Sequence, residues 1–138
     1  MISKFDLAKA LYEQAKLIAG NNSYLLIPEG KEYEPDPNAT YIQEFVLYGP
    51  DNAIGLADCS NDMQLGIYQI NVNTPKAQAG AKWAGLKIGD VFQAGFARGT
   101  QLIYNDQMVR MKNSTLLPMD PDETHEVHVL SINFSIIN

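Results

Sequence analysis

The sequence predicts one α+β domain: a mainly antiparallel four-stranded sheet with two helices packed on one face, in the order α-β-β-α-β-β. Two segments carry apolar residues at three- and four-residue steps, which is typical of helices that bury one face. Four other segments are rich in aromatic and β-branched residues, which favours strands. No crossover helix lies within either pair of strands, so each pair is predicted to be antiparallel.

The composition indicates a globular protein. The chain has 138 residues, of which 46% are hydrophobic and 19% are charged, and we predict a single domain over residues 1–138. Cys59 is the only cysteine, so no intrachain disulfide is possible. The first residues lack the apolar run of a signal peptide, and no stretch of about 18 apolar residues is present. These features predict a protein made in the cytosol, with no membrane partner.

The net charge of −6 is distributed unevenly along the chain. Residues 1–69 carry 4 basic and 10 acidic side chains, whereas residues 70–138 carry 6 of each. A protein that wraps duplex DNA needs a basic stripe that neutralises phosphates. The charge therefore argues against DNA wrapping.

The first helix is predicted over residues 4–19, with Ser3 as its N-cap and Gly20 as its stop. A helix packed on a sheet is the favoured interpretation. A membrane-surface helix is the alternative, and Asp6 and Glu13 weaken it by interrupting the basic face. The predicted apolar stripe consists of Phe5, Ala8, Leu11, Tyr12, Ala15, Ile18 and Ala19.

A proline-rich, acidic segment covers residues 28–40. Prolines at this density exclude a helix or a central strand, so we predict an extended acidic connection along the surface. The first two long strands are predicted over residues 41–48 and 64–72. The first is expected to end at Gly49-Pro50, which opens a loop over residues 49–63.

The second helix is predicted to begin after Thr74, a favoured N-cap residue, with Pro75 at the first helical position and Gly99 past its end. One flank of this helix carries small residues that would let another backbone come close. Packing on the chain's own sheet is the favoured interpretation, and packing on a neighbouring subunit is the alternative. This flank consists of Ala77, Gly80, Ala81, Ala84 and Gly85.

The last part of the chain predicts two more strands, over residues 100–112 and 126–137, with a turn near Asn105-Asp106 in the first. A polar loop is predicted between them, over residues 113–125. In the last strand the apolar positions shift phase after Val129, which is typical of a β-bulge.

The first long strand is apolar on both faces, with Ile42, Val46 and Tyr48 on one and Tyr41, Phe45 and Leu47 on the other. Two helices cover one face of a four-stranded sheet but not both. The uncovered face or an edge is therefore expected to bury itself against another chain, which predicts a homo-oligomer.

No pattern in the sequence predicts catalysis, so we expect a protein that is not an enzyme, with no catalytic residues, metal ligands or cofactors. The run His125-Glu126-Val127-His128 is one residue shorter than the zincin motif. In a strand its two histidines point to opposite faces, and we predict both to be partly exposed. A metal-dependent or ligand-binding enzyme that uses these histidines is the remote alternative. Cys59 lies beside Asp58 with no basic neighbour, which disfavours a nucleophilic thiol.

Several short motifs follow one another over most of residues 24–110. They are Ile27-Pro28-Glu29-Gly30, Glu32-Tyr33-Glu34-Pro35, Thr40-Tyr41-Ile42-Gln43, Phe45-Val46-Leu47, Gly66-Ile67-Tyr68-Gln69-Ile70-Asn71-Val72, and a small-residue helix ending in Phe96 before Gly99-Thr100. Together these motifs resemble a family of small proteins of tailed bacteriophages, the tail terminators. Glu29 stands where the family commonly has asparagine, and the loops 49–63 and 113–125 show no match.

The resemblance implies a virion structural protein that assembles in the host bacterial cytoplasm. Such a protein forms a ring, usually a hexamer, that caps the finished tail tube and joins it to the head connector. The implied partners are other copies of itself, the tail-tube protein and a head-completion or connector protein. Another head–tail joining or minor tail protein of similar fold is the alternative.

Loops on a rigid sheet usually carry partner recognition, so the segments 48–63 and 113–125 are the predicted contact surfaces. We also expect part of the acidic set over residues 29–36 and 51–62 to line the ring, where it would repel passing DNA. The alternative for residues 29–36 is that the charge only keeps an exposed connection solvated. The predicted contact residues are Tyr48, Asp51, Asn52, Asp58, Asp62, Asn113, Pro118, Asp120 and Asp122.

Overall fold

The computed structural model describes residues 4–53, 62–105 and 107–137. It contains two helices and six strands. Their bounds are α1 Lys4–Asn21, β1 Leu26–Ile27, β2 Tyr41–Ala53, β3 Asp62–Pro75, α2 Ala81–Gly95, β4 Gln101–Tyr104, β5 Gln107–Met119 and β6 His125–Ile137.

The strands form one sheet in the order β1-β2-β3-β6-β5-β4, curled into a half-barrel. The prediction of a four-stranded, mainly antiparallel sheet in the order α-β-β-α-β-β is therefore wrong. Strand β1, which pairs parallel with β2, was missed. The predicted strand over residues 100–112 divides after Tyr104, so that β4 and the first part of β5 form an antiparallel pair. The half-barrel is mixed because β1 joins β2 through the long 28–40 connection rather than through a hairpin.

Both helices pack on one face of the sheet and enclose the core. On this face the inward residues of adjacent strands form continuous rows, such as Val46 opposite Tyr68 and Tyr68 opposite Ile132. The buried face of α1 differs from the predicted stripe, because Leu7 is fully buried and Phe5 is 63% exposed. The buried residues of α1 are Leu7, Ala10, Leu11, Ala15, Ile18 and Ala19. Ser3, the predicted N-cap, lies outside the described residues.

Helix α2 begins later than the sequence predicts. Thr74 and Pro75 stay in β3, where they pair with Glu126 and His125 of β6. Gly80, at a φ of 73°, is the N-cap instead, and the Thr74 hydroxyl donates to the carbonyl of Ala81 at 2.9 Å. The long β3–β6 ladder outweighs the local N-cap signal, because tertiary pairing overrides propensity.

The predicted loops are shorter than expected because the strands beside them are longer. Strand β2 continues past a register shift after Tyr48 to Ala53, and β3 begins at Asp62. Strand β5 continues to Met119, so residues 120–124 alone connect β5 to β6. The predicted bulge in β6 is wrong: β6 pairs with β3 without interruption, and the register shift lies in β5 between Met111 and Ser114.

Candidate functional site

The predicted contact residues fall at opposite ends of the sheet. Tyr48 shares a row with Met111, at the end where the β2–β3 connection lies. Pro118 pairs with His128 at the other end, next to the 120–124 connection. Asn113 lies at the β5 register shift, where its carbonyl accepts from the Asn133 side chain at 3.2 Å.

Tyr48, Asn113, Pro118, Asp120 and Asp122 are all exposed, which leaves them accessible to a partner. Asp58 lies outside the described residues. Asp51, Asn52 and Asp62 are placed in strands rather than in a loop, because the β2–β3 ladder continues beyond Tyr48. The structure thus separates the predicted contact residues into two groups rather than one site.

The predicted flank of α2 divides between the chain's own core and solvent. Ala81 and Gly85 are buried, and a Cβ on Gly85 would collide with the ring of His128. Ala77 and Gly80 are exposed, and Ala84 is half-buried. Packing of a neighbouring subunit on this flank stays a prediction.

The sheet face away from the helices carries exposed apolar side chains. Leu47 is 50% exposed in β2, and Leu117 and Met119 are 58% and 54% exposed in β5. Neither helix covers these residues, because α1 and α2 both pack on the opposite face. This open face agrees with the reasoning that led to the predicted oligomer.

The two histidines occupy different faces of β6, as the strand periodicity predicts, but both are buried rather than partly exposed. His125 contacts the Thr124 hydroxyl at 2.8 Å and the Ala39 carbonyl at 2.9 Å through its two ring nitrogens. It therefore fastens the acidic connection to the start of β6. His128 lies against Gly85 of α2, and burial lowers the pKa of its imidazole.

An acidic pocket with a volume of about 390 Å³ lies between the first turns of α1 and the β1–β2 edge. The side chains of Glu29 and Glu44 both line it. The two carboxylates are held by backbone amides of the same edge: Glu29 Oε2 accepts from the amide of Val46 at 3.1 Å, and Glu44 accepts from the amide of Glu29. The remaining lining residues are Phe5, Ala8, Lys9, Tyr12, Pro28 and Val46.

Glu44 is unusual because its carboxylate is buried without a compensating cation. The residue is 5% exposed, and its Oε2 atom has no hydrogen-bond partner among the described residues. Burial, together with the charge of Glu29, raises the pKa of Glu44 to about 7. A buried acid in this state gains strongly from a positive partner.

Lys9 is the one basic residue among those that line the pocket, and it points to other groups. Its ammonium lies 3.9 Å from Glu13 and 5.7 Å from the ring centre of Tyr12. The hydroxyl of Tyr68, near Glu44 in the core, also lacks a partner among the described residues. Burial raises the pKa of Tyr68 well above its ordinary value, so Tyr68 supplies no charge.

Sequence reasoning missed this pocket although β2 carries a signal for it. The inward positions of β2 run Ile42, Glu44, Val46, so one carboxylate interrupts an otherwise apolar alternation. A charged residue is rarely buried without a pair, and such a position marks a candidate site. The proximity of Glu29 depends on the parallel β1–β2 pairing, which the sequence did not predict.

The described residues provide neither a membrane-spanning helix nor a cluster of metal ligands. No helix there is both long and apolar enough to cross a membrane. Among residues 4–53, 62–105 and 107–137, no group of three or more His, Cys, Asp or Glu side chains has a geometry that could hold a metal ion.

Comparison with known proteins relates most of the chain to one family. A family model described as phage tail terminator protein matches residues 6–134. No curated protein matches the chain. A solved structure with no descriptive name superposes with a TM-score of 0.75 at 12% identity, covering 99% of this chain and 96% of that one. A chain from the virion of a native gene transfer agent particle superposes with a TM-score of 0.57 at 14% identity, covering 96% of each chain. At these identities the superpositions show a shared fold.

Proposed function

The chain belongs to the phage tail terminator family, and we propose that it forms a ring, a hexamer, that caps the tail tube and joins it to the head connector. The family makes it a structural component of the phage virion tail, and structural proteins of this kind act through interfaces rather than catalysis. The observation that carries the proposal is the family match over residues 6–134.

The positions of the two predicted contact groups support a ring with two different ends. The β2–β3 connection lies at one end of the strands, and residues 120–124 lie at the other. A ring whose axis runs along the strands would present one group to the tail tube and the other to the head. Because its two ends differ, such a ring would bind the tube on one side and would not polymerise further.

Closed cyclic symmetry also gives the uncovered side of the subunit a function. Each subunit of a ring contacts its neighbours through two different patches, so its edges are satisfied when the ring closes. The exposed Leu47, Leu117 and Met119 lie on the face that no helix covers. In the proposed ring this face is buried against a neighbour or against the tail tube.

The acidic connection has a proposed role in the same ring. Glu32, Glu34 and Asp36 are exposed, so they are free to line a channel and repel the phosphates of passing DNA. A ring structure with a basic channel would refute this part of the proposal. The alternative, that these carboxylates only solvate the connection, would be supported if they faced outward from the ring.

Two measurements test the proposal. Light scattering of the purified chain at tens of micromolar is expected to give the mass of a closed oligomer, and negative-stain images are expected to show rings. A stable monomer would count against the proposal. In a phage that carries this gene, its disruption is expected to give overlong tail tubes without heads. Tubes of normal length that lack heads would favour the head–tail joining alternative.

The 120–124 connection is the sharper target for a partner-binding test. Deletion of residues 114–124 would remove half of β5, so it would damage the fold. Exchanging Asp120 and Glu123 for serine alters two exposed side chains and leaves the strands intact. We expect rings that form normally but fail to join tails or heads, and normal virions would show that this connection is not a contact surface.

A further inference from the structure

Neither carboxylate of the acidic pocket forms a salt bridge with a described residue, since Lys9 in the pocket wall pairs with Glu13. Glu44 buries a carboxylate oxygen that has no hydrogen-bond partner in the described part of the chain, and Glu29 adds a second negative charge beside it. The pocket walls include the aromatic rings of Phe5 and Tyr12, which suit the flat face of a guanidinium or the stem of a lysine. Its chemistry therefore fits a basic side chain entering from outside.

Exposed basic residues gather on the opposite edge of the sheet. The amide of Gly99 donates to the carbonyl of Met111 at 2.9 Å, which holds Arg98 beside Lys112 at the β4–β5 edge. Arg110 lies on β5 two residues before Lys112. These three side chains, the basic edge cluster, are exposed and form no salt bridge with any residue that the structure describes.

The pocket and the basic edge cluster lie at nearly the same level of the sheet. Val46, at the pocket, is in a row with Tyr68, Ile132 and Ser114. Ser114 follows Lys112 by two residues, across the β5 register shift. A rotation about an axis along the strands, without translation, would therefore bring the cluster of one copy towards the pocket of the next.

We propose that the acidic pocket of one copy receives the basic edge cluster of a second copy of this chain, in a head-to-tail contact that repeats around the ring. The contact joins two different patches, and such heterologous contacts close into rings when the rotation permits. Arg110 or Lys112 of the second copy supplies the positive partner for the carboxylates of Glu29 and Glu44. This inference rests on the proposed ring and names the surfaces that would build it.

Charge reversal in the full chain tests the contact. R110E/K112E is expected to raise the protein concentration needed for half-assembly at least tenfold, as measured by light scattering. E44Q, which removes a charge with little change in shape, is expected to act in the same direction. The matched control K82E/K87E makes the same change of charge on exposed residues of α2 and should assemble as the unmodified chain does. Circular dichroism verifies that each variant is folded.

A mixing experiment tests whether the two surfaces bind each other. R98E/R110E/K112E retains the pocket, and E29Q/E44Q retains the basic edge cluster. Each alone should stay monomeric, and an equimolar mixture should give heterodimers but no rings, since each chain keeps one working surface. A mixture that stays monomeric would overturn the inference.

The outcomes separate this inference from the proposed function. If the unmodified chain is monomeric, the ring itself is wrong and the contact falls with it. If the unmodified chain forms rings and R110E/K112E forms them at the same concentration, the contact is wrong and the ring stands. Loss of assembly in both R110E/K112E and K82E/K87E would also overturn the contact, since it would reflect overall charge.

Discussion

The carboxylate of Glu29 accepts a hydrogen bond from the backbone amide of Val46 at 3.1 Å. Strand β1 ends at Ile27, so its backbone no longer reaches this part of β2. The side chain of Glu29 takes the place of the missing strand and satisfies one amide of an otherwise open edge. Protection of edge amides also limits uncontrolled strand pairing.

Replacement of Glu29 by alanine and by glutamine separates this hydrogen bond from the charge. Glutamine keeps an oxygen acceptor for the Val46 amide, whereas alanine does not. We expect E29A to be less stable than E29Q by about 1 kcal/mol, the usual net contribution of a hydrogen bond. Urea unfolding measures the difference, and equal stability of the two variants would show that water replaces the carboxylate without cost.

The pKa of Glu44 gives the protein a pH-dependent stability. Because the folded pKa of about 7 lies above the ordinary value of 4.5, the folded state binds more protons between these two pH values. Stability is therefore expected to fall as the pH rises from 4.5 to 7 and then to level off. E44Q should reduce this fall and be the more stable protein at pH 8.

Urea unfolding at pH 5 and pH 8 tests the prediction, with the assembly state kept equal for all variants. Glu13→Gln serves as the control because this carboxylate is half-exposed on the same helix that borders the pocket. The stability of E13Q should fall between pH 5 and pH 8 by the same amount as that of the unmodified chain. An E44Q protein that loses as much stability between pH 5 and pH 8 would show that Glu44 is already ionised at pH 5.

Two glycines of the helices should respond in opposite directions to alanine. Gly85 lies against the His128 ring, and an added Cβ would come within 2.8 Å of His128 Cε1. Since the ring is buried, we expect G85A to lose about 1–3 kcal/mol through overpacking. Gly20 lies in α1 with nothing within 4 Å of an added Cβ, so G20A should gain about 0.5–1 kcal/mol. Thermal unfolding measures both changes.

The sequence predicted those parts of the fold that depend on local patterns. The periodicity of residues 4–19 located α1, and the apolar runs located β2, β3 and β6. They located only the first part of β5, because residues 113–119 were predicted to be loop. The predicted start of α2 is wrong because Thr74-Pro75 carries a strong local helix signal, whereas the pairing of these two residues with β6 is non-local. The two-residue strand β1 was not predicted for the same reason, since its pairing with β2 depends on the path of the 28–40 connection.

The candidate site was less predictable than the fold. The family motifs mark residues that shape the sheet, and they assign no role to Glu44. Its significance arises when the fold buries it beside Glu29, which is fifteen positions earlier, in the turn that follows β1. The basic edge cluster likewise depends on a backbone hydrogen bond, from Gly99 to Met111, that brings Arg98 beside Lys112 although the two are far apart in the sequence.

Asp122 is expected to hold the 120–124 connection in shape. Its Oδ1 atom accepts from the amides of Thr124 and His125 at 2.8 and 2.6 Å, and from the Thr124 hydroxyl at 3.3 Å. Although its slight burial acts to raise the pKa of Asp122, these hydrogen bonds and the nearby His125 lower it below the ordinary value. The stabilisation is therefore present above pH 3.8 and is lost as the pH falls through the lowered pKa.

D122A should lose about 1 kcal/mol of stability, because two backbone amides lose their acceptor. Hydrogen exchange of the Thr124 and His125 amides should become at least fivefold faster, while exchange in α1 at the far side of the core stays unchanged until global unfolding. D122N keeps one carbonyl acceptor and should lie between D122A and the unmodified chain. Unchanged exchange of both amides in D122A would mean that the β6 ladder alone holds this connection, and that Asp122 is free to contact a partner.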